Sequence, residues 1–282
     1  MFTMPVGLWS GGEAGPASFN LAAASYDTLF DVSAQSANAY GIAFMDDGAV
    51  MLVGDRNSAT LYQYALSTPY DIATASYAGK SFYVGGQDGF RGLSVNPDGT
   101  RLLMNGSNND IYSYTLATAH DVSSAVYDGY YLDVSPQLSA ASAFYVDATG
   151  SHLYVADGGS KRIYQYAVSS PFDVRTASYG GLWLDYNAAV GSPIFGVGPT
   201  GVVLSASGKK MLVCDEVTVS SQPSVYQFTL ATAFDISTAS YDGVSLDADS
   251  QSTLMAGVCV SADERMMYLA GRTGDAIYAY AV

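Results

Sequence analysis

Charge is the scarcest ingredient of this chain: only 13% of its 282 residues are Asp, Glu, Lys or Arg, and the 11 basic residues against 26 acidic ones leave a formal net charge of −15. Such a balance repels phosphate backbones and anionic lipid, and no run of Lys or Arg reverses it locally, so nucleic acid is excluded as an expected partner. Apolar runs long enough to span a bilayer are missing as well. Residues 1–9 have neither a basic start nor a continuous apolar stretch, which predicts no membrane insertion and synthesis as a cytosolic protein. There are two cysteines, Cys214 and Cys259, each inside an apolar strand pattern, where a free thiol acts as a small hydrophobe. Two histidines, His120 and His152, stand apart without a partner at metal-ligand spacing. Glutamate occurs three times, at Glu13, Glu216 and Glu264. No Gly-x-Ser-x-Gly elbow and no Gly-rich loop leading into a helix is present, so nucleophilic catalysis and nucleotide binding have no motif to rest on, and no cofactor is expected.

What the chain has in quantity is glycine (29 residues) and tyrosine (23), a mixture suited to many short strands joined by tight turns. The tyrosines are periodic. Leu61-Tyr62-Gln63-Tyr64 returns as Ile111-Tyr112-Ser113-Tyr114, Ile163-Tyr164-Gln165-Tyr166, Val225-Tyr226-Gln227-Phe228 and Ile277-Tyr278-Ala279-Tyr280, with the first aromatic of each set 50, 52, 62 and 52 residues from the last. Five copies predict five structural units. Within a unit the order is constant: strand, turn, strand, aromatic strand, connector, fourth strand. The second unit shows it best, with Gly92-Leu93-Ser94-Val95, the hairpin turn Asn96-Pro97-Asp98-Gly99, residues 101–105, then 111–116. In the fifth unit the hairpin reads Ala262-Asp263-Glu264, without the turn glycine.

Four antiparallel strands per unit is the size of a propeller blade, and the reading is all-β, a five-bladed β-propeller spanning residues 17–282. Phe19-Asn20-Leu21-Ala22-Ala23-Ala24-Ser25-Tyr26 aligns without a gap on the connector Tyr70-Asp71-Ile72-Ala73-Thr74-Ala75-Ser76-Tyr77. The strand that follows, about residues 27–33, is therefore expected to supply the outer strand of the last blade and close the ring, removing an open sheet edge.

The repeat string Gly-Leu-Ser-Val-Asn-Pro-Asp-Gly-Thr (92–100) followed by Ile-Tyr-Ser-Tyr-Thr-Leu-Ala-Thr-Ala-His-Asp-Val-Ser-Ser-Ala (111–125) resembles repeats of bacteriophage structural proteins and related bacterial surface propellers. The resemblance covers nearly all of the chain after about Ala17. It implies a virion component, a tail or head appendage or capsid decoration assembled in the host cytoplasm, with other virion proteins as partners and no catalytic residues to carry over. The chain departs from the pattern in the insertions of its fourth unit and in the fifth hairpin.

Several side chains are candidates for more than packing. The paired aromatics of each third strand share one face and are expected to fill the wedges between blades rather than to form a sugar-stacking ladder. The connector aspartates Asp71, Asp121, Asp173 and Asp235 are expected to bond nearby backbone amides, with calcium ligation the weaker alternative. Gln35, Gln87, Gln137 and Gln251 occupy similar places in four outer-to-inner loops, either closing the turn or forming a ring of polar contacts for a host glycan. The fourth unit has instead two insertions, residues 187–200 and 215–223, converging on the same end of the ring; Ile194, Phe195 and Val219 are their apolar contact candidates, with Asp88 and Arg91 beside them. Residues 1–16, with Phe2, Leu8 and Trp9, read as an arm that anchors the ring to another subunit. The residues entering the inner strands, read as Tyr40-Gly41, Arg91-Gly92, Ala141-Ser142, Thr200-Gly201 and Met255-Ala256, include no acid, and Glu216 has no evident partner. A hydrolase working through axial carboxylates is thus a distant third to a virion platform and a lectin-like propeller.

Overall fold

A computed structural model describes residues 19–85, 89–191, 198–216 and 224–282. Among these residues, 20 strands form five four-stranded antiparallel sheets. Blade 1 runs from the axis outward as Ala39–Met45, Val50–Asp55, Thr60–Leu66 and Ala75–Tyr83, and blade 2 as Gly92–Val95, Arg101–Asn105, Asp110–Leu116 and Ala125–Asp133. Blade 3 comprises Ala141–Val146, His152–Asp157, Arg162–Val168 and Ala177–Asp185; blade 4 comprises Pro199–Leu204, Lys210–Asp215, Val225–Leu230 and Ala239–Leu246. Blade 5 takes Met255–Val260, Met266–Gly271 and Ala276–Ala281 from the C-terminal end and Ser25–Asp31 from the N-terminal end. The closing pair runs from Ser25 opposite Ala281 to Asp31 opposite Ala276. It begins two residues earlier than the sequence places it, because the last residues of each connector already lie in the fourth strand; in blade 1 that strand likewise starts within the connector, at Ala75.

The cores lie in the seams between blades. One cluster joins Ile42, Met51, Val53 and Tyr64 of blade 1 to Tyr268, Ala270 and Ile277 of blade 5. Tyr64, Tyr114, Tyr166, Phe228 and Tyr280, the second aromatics of the third strands, are all buried, so they are wedge fillers and not a sugar ladder.

Each connector is built from the same local chemistry. Asp71, Asp121, Asp173 and Asp235 accept the backbone N–H of Ala73, Ser123, Arg175 and Ser237 at 3.0–3.1 Å and cap a single 3-10 turn. The residue before each aspartate, Tyr70, His120, Phe172 or Phe234, is left-handed, and its ring lies on the hairpin glycine of its own blade. A Cβ at Gly208, for example, would stand 2.6 Å from the Phe234 ring. His120 is thus a packing residue, and His152 stacks on Phe234 at 5.0 Å beside Asp147.

Side chains then lock blade to blade. The third-strand Gln63 of blade 1 accepts from Val122 N–H at 2.8 Å and donates to the His120 carbonyl at 3.1 Å, both on the blade 2 connector. Gln165 accepts from Ile236 N–H at 2.9 Å, and Gln227 accepts from Leu21 N–H at 2.7 Å. Where blade 2 has Ser113, Arg101 takes over the task by donating to the Phe172 carbonyl at 3.3 Å. Glu264 explains the missing fifth glycine. It adopts φ 59° and is buried, and its carboxylate accepts the N–H of Ala206 on blade 4 and also that of Phe19, the first described residue.

Candidate functional site

Two rings of residues set the bore of the axis. Each inner strand of blades 1, 3, 4 and 5 shifts register near its start, between Ala39 and Gly41, Ala141 and Ala143, Pro199 and Gly201, and Met255 and Gly257. This bulge corrects the sequence alignment by one residue in blades 3 and 5: the equivalents of Tyr40-Gly41 are Ser142-Ala143 and Ala256-Gly257. The waist of the channel is therefore Gly41, Gly92, Ala143, Gly201 and Gly257. Small residues are imposed by close approach, since a Cβ on Gly257 would meet the Tyr40 carbonyl oxygen at 2.6 Å. Only about 30 Å³ of free space remains at this level.

Beyond the waist, toward the hairpins, the bore widens into a cavity of about 370 Å³ lined by Phe44, Tyr145, Val203, Cys259, Val260 and Glu264 among others. Cys214 is buried and Cys259 is partly exposed, and both are free thiols. Burial pushes both thiols well above their ordinary range, so neither is a ready nucleophile.

On the opposite end the mouth of the axis is charged. Tyr40 is buried there, with the Arg56 guanidinium 4.9 Å and the Arg272 guanidinium 5.5 Å from its ring centroid. Arg91, the blade 2 counterpart of Tyr40, acts on the same tyrosine electrostatically. Glu216, which the sequence left without a partner, forms an ion pair with Arg272, and Arg272 Nε also donates to Asn38 Oδ1 at 2.8 Å. Burial, reinforced by Glu216 and opposed by the three arginines, pushes the Tyr40 hydroxyl up to about 12. Burial likewise lowers the Arg91 guanidinium from its usual value.

The elements that hold these groups are the ends of the second strands. Asp55 accepts from Ser36 Oγ at 2.8 Å, Asn38 N–H at 2.9 Å and Ser58 N–H at 2.6 Å, tying the loop that leads into blade 1 to the turn after its second strand. Asp157 does the same for blade 3 through Ala140 and Gly159 N–H, each at 3.0 Å, and Asp215 accepts Gly198 N–H at 3.2 Å. The residue that follows the second strand belongs to this charged cluster in three blades: Arg56 after Asp55 in blade 1, Glu216 after Asp215 in blade 4, and Arg272 after Gly271 in blade 5. Superposing the repeats at this position, Arg56, Ser107, Gly158, Glu216 and Arg272, is the sequence signal that would have found the cluster.

The repeated glutamines have an internal use. Gln35, Gln137 and Gln251 each accept through Oε1 from a third-strand tyrosine hydroxyl, Tyr64 at 3.3 Å, Tyr166 at 2.9 Å and Tyr280 at 3.1 Å. Arg91 is half-buried, and its Nη1 donates to the Ala141 carbonyl at 3.3 Å. Gln87, Asp88, Ile194, Phe195 and Val219, and Phe2, Leu8 and Trp9 of the arm, lie outside the described residues. The blade 4 insertion opens with a short helix, Tyr186–Val190, capped by Asp185 through Ala188 N–H at 2.9 Å. Its first residue is fully buried against Tyr226 and Phe228. Among the described residues no group of three or more His, Cys, Asp or Glu is placed to hold a metal ion.

The chain matches no protein-family model and no curated protein. Solved structures resemble it in fold. The β-propeller domain of Myceliophteria thermophila Cps50 (Swd1) superposes with a TM-score of 0.52 at 8% identity over 87% of this chain and 84% of that one. A protein from Bacteroides uniformis provisionally described as a 6-phosphogluconolactonase gives 0.51 at 12% identity over 85% of this chain, which spans 65% of its length. A Lactobacillus plantarum protein gives 0.50 at 16% identity, covering 86% and 67% of the two chains. At such identities the likeness establishes the propeller and nothing about activity.

Proposed function

We propose that the chain is a non-enzymatic structural protein of a bacteriophage particle, a tail or head appendage that serves as a rigid platform for other virion proteins and takes part in host adsorption. The observation that carries this reading is the contrast between the two ends of the ring. At the hairpin end blades 1 to 4 repeat the same capped connector and packed turn, blade 5 replaces the turn glycine with the Glu264 clamp, and the seams are locked by side-chain hydrogen bonds. Departures from the repeat gather at the other end, in the charged mouth and the blade 4 insertion. A stiff scaffold with variation confined to one set of loops is how recognition surfaces are presented. The resemblance of the repeat to phage structural propellers supplies the setting: assembly in the host cytoplasm, with residues 1–16 as the anchoring arm.

A lectin-like propeller is the second reading, and the engagement of Gln35, Gln137 and Gln251 carbonyls by tyrosine hydroxyls weighs against a repeated saccharide site. The full chain and a version lacking residues 1–16 separate the two. Particle association lost on truncation, with a silent glycan array, supports the anchored platform; glycan binding retained by the truncated ring replaces it with the lectin.

A further inference from the structure

Three of the chain's seven arginines meet around one tyrosine in a protein of net charge −15. Among the described residues, Glu216 is the acid that ion-pairs with one of them, Arg272. Asp55, the residue before Arg56, accepts hydrogen bonds from Ser36, Asn38 and Ser58 and remains a charged carboxylate engaged with its own loop. Among the described residues, three arginines therefore gather around Tyr40 with Glu216 as the acid in direct contact, in a site where water is partly excluded and Coulomb interactions are strengthened.

Two polar atoms there are buried without a protein partner: Arg91 Nε, a donor, and Glu216 Oε2, an acceptor. Glu216 is only 5% exposed, so its free oxygen is an uncompensated acceptor facing the cluster. The two atoms ask for complementary things, an oxyanion for Arg91 and a hydroxyl for Glu216. The waist below, bounded by Gly41, Gly92, Ala143, Gly201 and Gly257 with about 30 Å³ free, stops a ligand from passing into the channel.

We infer that the axial mouth is a binding site for a small hydroxylated anion, whose oxyanion lies among Arg56, Arg91 and Arg272 and whose neighbouring hydroxyl donates to Glu216. A sugar acid and a sugar phosphate share this chemistry. Guanidinium forks suit both carboxylate and phosphate, and a charge-assisted pair in a dry site is the strong kind of hydrogen bond. The site is independent of the platform role and stands or falls separately from it.

Titration calorimetry of the full chain with glucuronate, glucose 6-phosphate, inorganic phosphate and neutral glucose tests the inference. Saturable, salt-sensitive binding of glucuronate or glucose 6-phosphate is expected, with glucose silent; the tighter of the two anions identifies the group. Arg91→Gln and Arg56→Gln should each weaken it about tenfold or more. Arg56 provides the second variant because its guanidinium rests on the Tyr40 ring, and an unchanged melting temperature shows that the fold is intact. Failure of both anionic sugars to saturate below about 10 mM, or binding indifferent to both substitutions, would overturn the site. Inorganic phosphate binding as tightly as glucose 6-phosphate would overturn the hydroxyl contact at Glu216.

Discussion

Single residues in this ring are chosen for what reaches them from the next blade. Glu264 stands where Gly208 serves in blade 4, at φ 59° against 67° for the glycine. Left-handed backbone costs a non-glycine residue about 1 kcal/mol, whereas each buried charge-assisted hydrogen bond contributes roughly 1.5–3 kcal/mol. Glu264→Gly should therefore destabilise the protein by about 2–5 kcal/mol although it restores the repeat; denaturant unfolding that finds the variant more stable would refute the clamp.

Asp215 makes a second residue-scale case. Burial is the largest influence on it and raises its carboxyl to about 6, above the ordinary 3.8. The folded state then binds a proton more readily than the unfolded chain, so this group's contribution to stability is greatest below pH 4 and is lost as the pH rises toward 6. Asp215→Asn should gain on the wild type across that window, by on the order of 2 kcal/mol. Stability curves that stay parallel from pH 4 to pH 7 would remove Asp215 as their cause.

At the scale of elements, the unit of construction is a third strand clamped to the following connector. Gln63 meets both a backbone donor and a backbone acceptor on the blade 2 connector while only 4% exposed. Truncation to alanine leaves both groups buried and unpaired, so Gln63→Ala should cost about 2–4 kcal/mol. Hydrogen exchange should show the loss concentrated at Val122 N–H and its neighbours rather than across the blade. The same geometry makes the connector aspartates structural, since their carboxylates are spent on the 3-10 caps.

For the whole molecule, ring closure is the decisive step. Six register pairs join Ser25–Asp31 to Ala276–Ala281, so the last blade exists only when distant parts of the chain meet. Deleting residues 1–33 should expose the Ala276–Ala281 strand as a bare edge and uncover the blade 5 to blade 1 seam. Broadened thermal unfolding and concentration-dependent association by size exclusion are expected; a monomer melting as sharply as the full chain would show that closure contributes little.

How much of this was legible beforehand follows from the physics of each feature. Tyrosine spacing, turn chemistry and strand alternation are local, and they determined the five blades, the closing strand and the capping role of Asp71, Asp121, Asp173 and Asp235. The repeated glutamines were visible too, but their tyrosine partners lie 29 residues away. Glu216 looked solitary because its partner, Arg272, is 56 residues distant. Bulges in the inner strands displaced the axial register by one residue from its sequence reading in blades 3 and 5, which no propensity reports. The charged mouth was hidden for the same reason: Arg56, Arg91, Arg272 and Glu216 come from blades 1, 2, 5 and 4, and only the circular packing of those blades brings three arginines and a glutamate to the rim of a narrow bore.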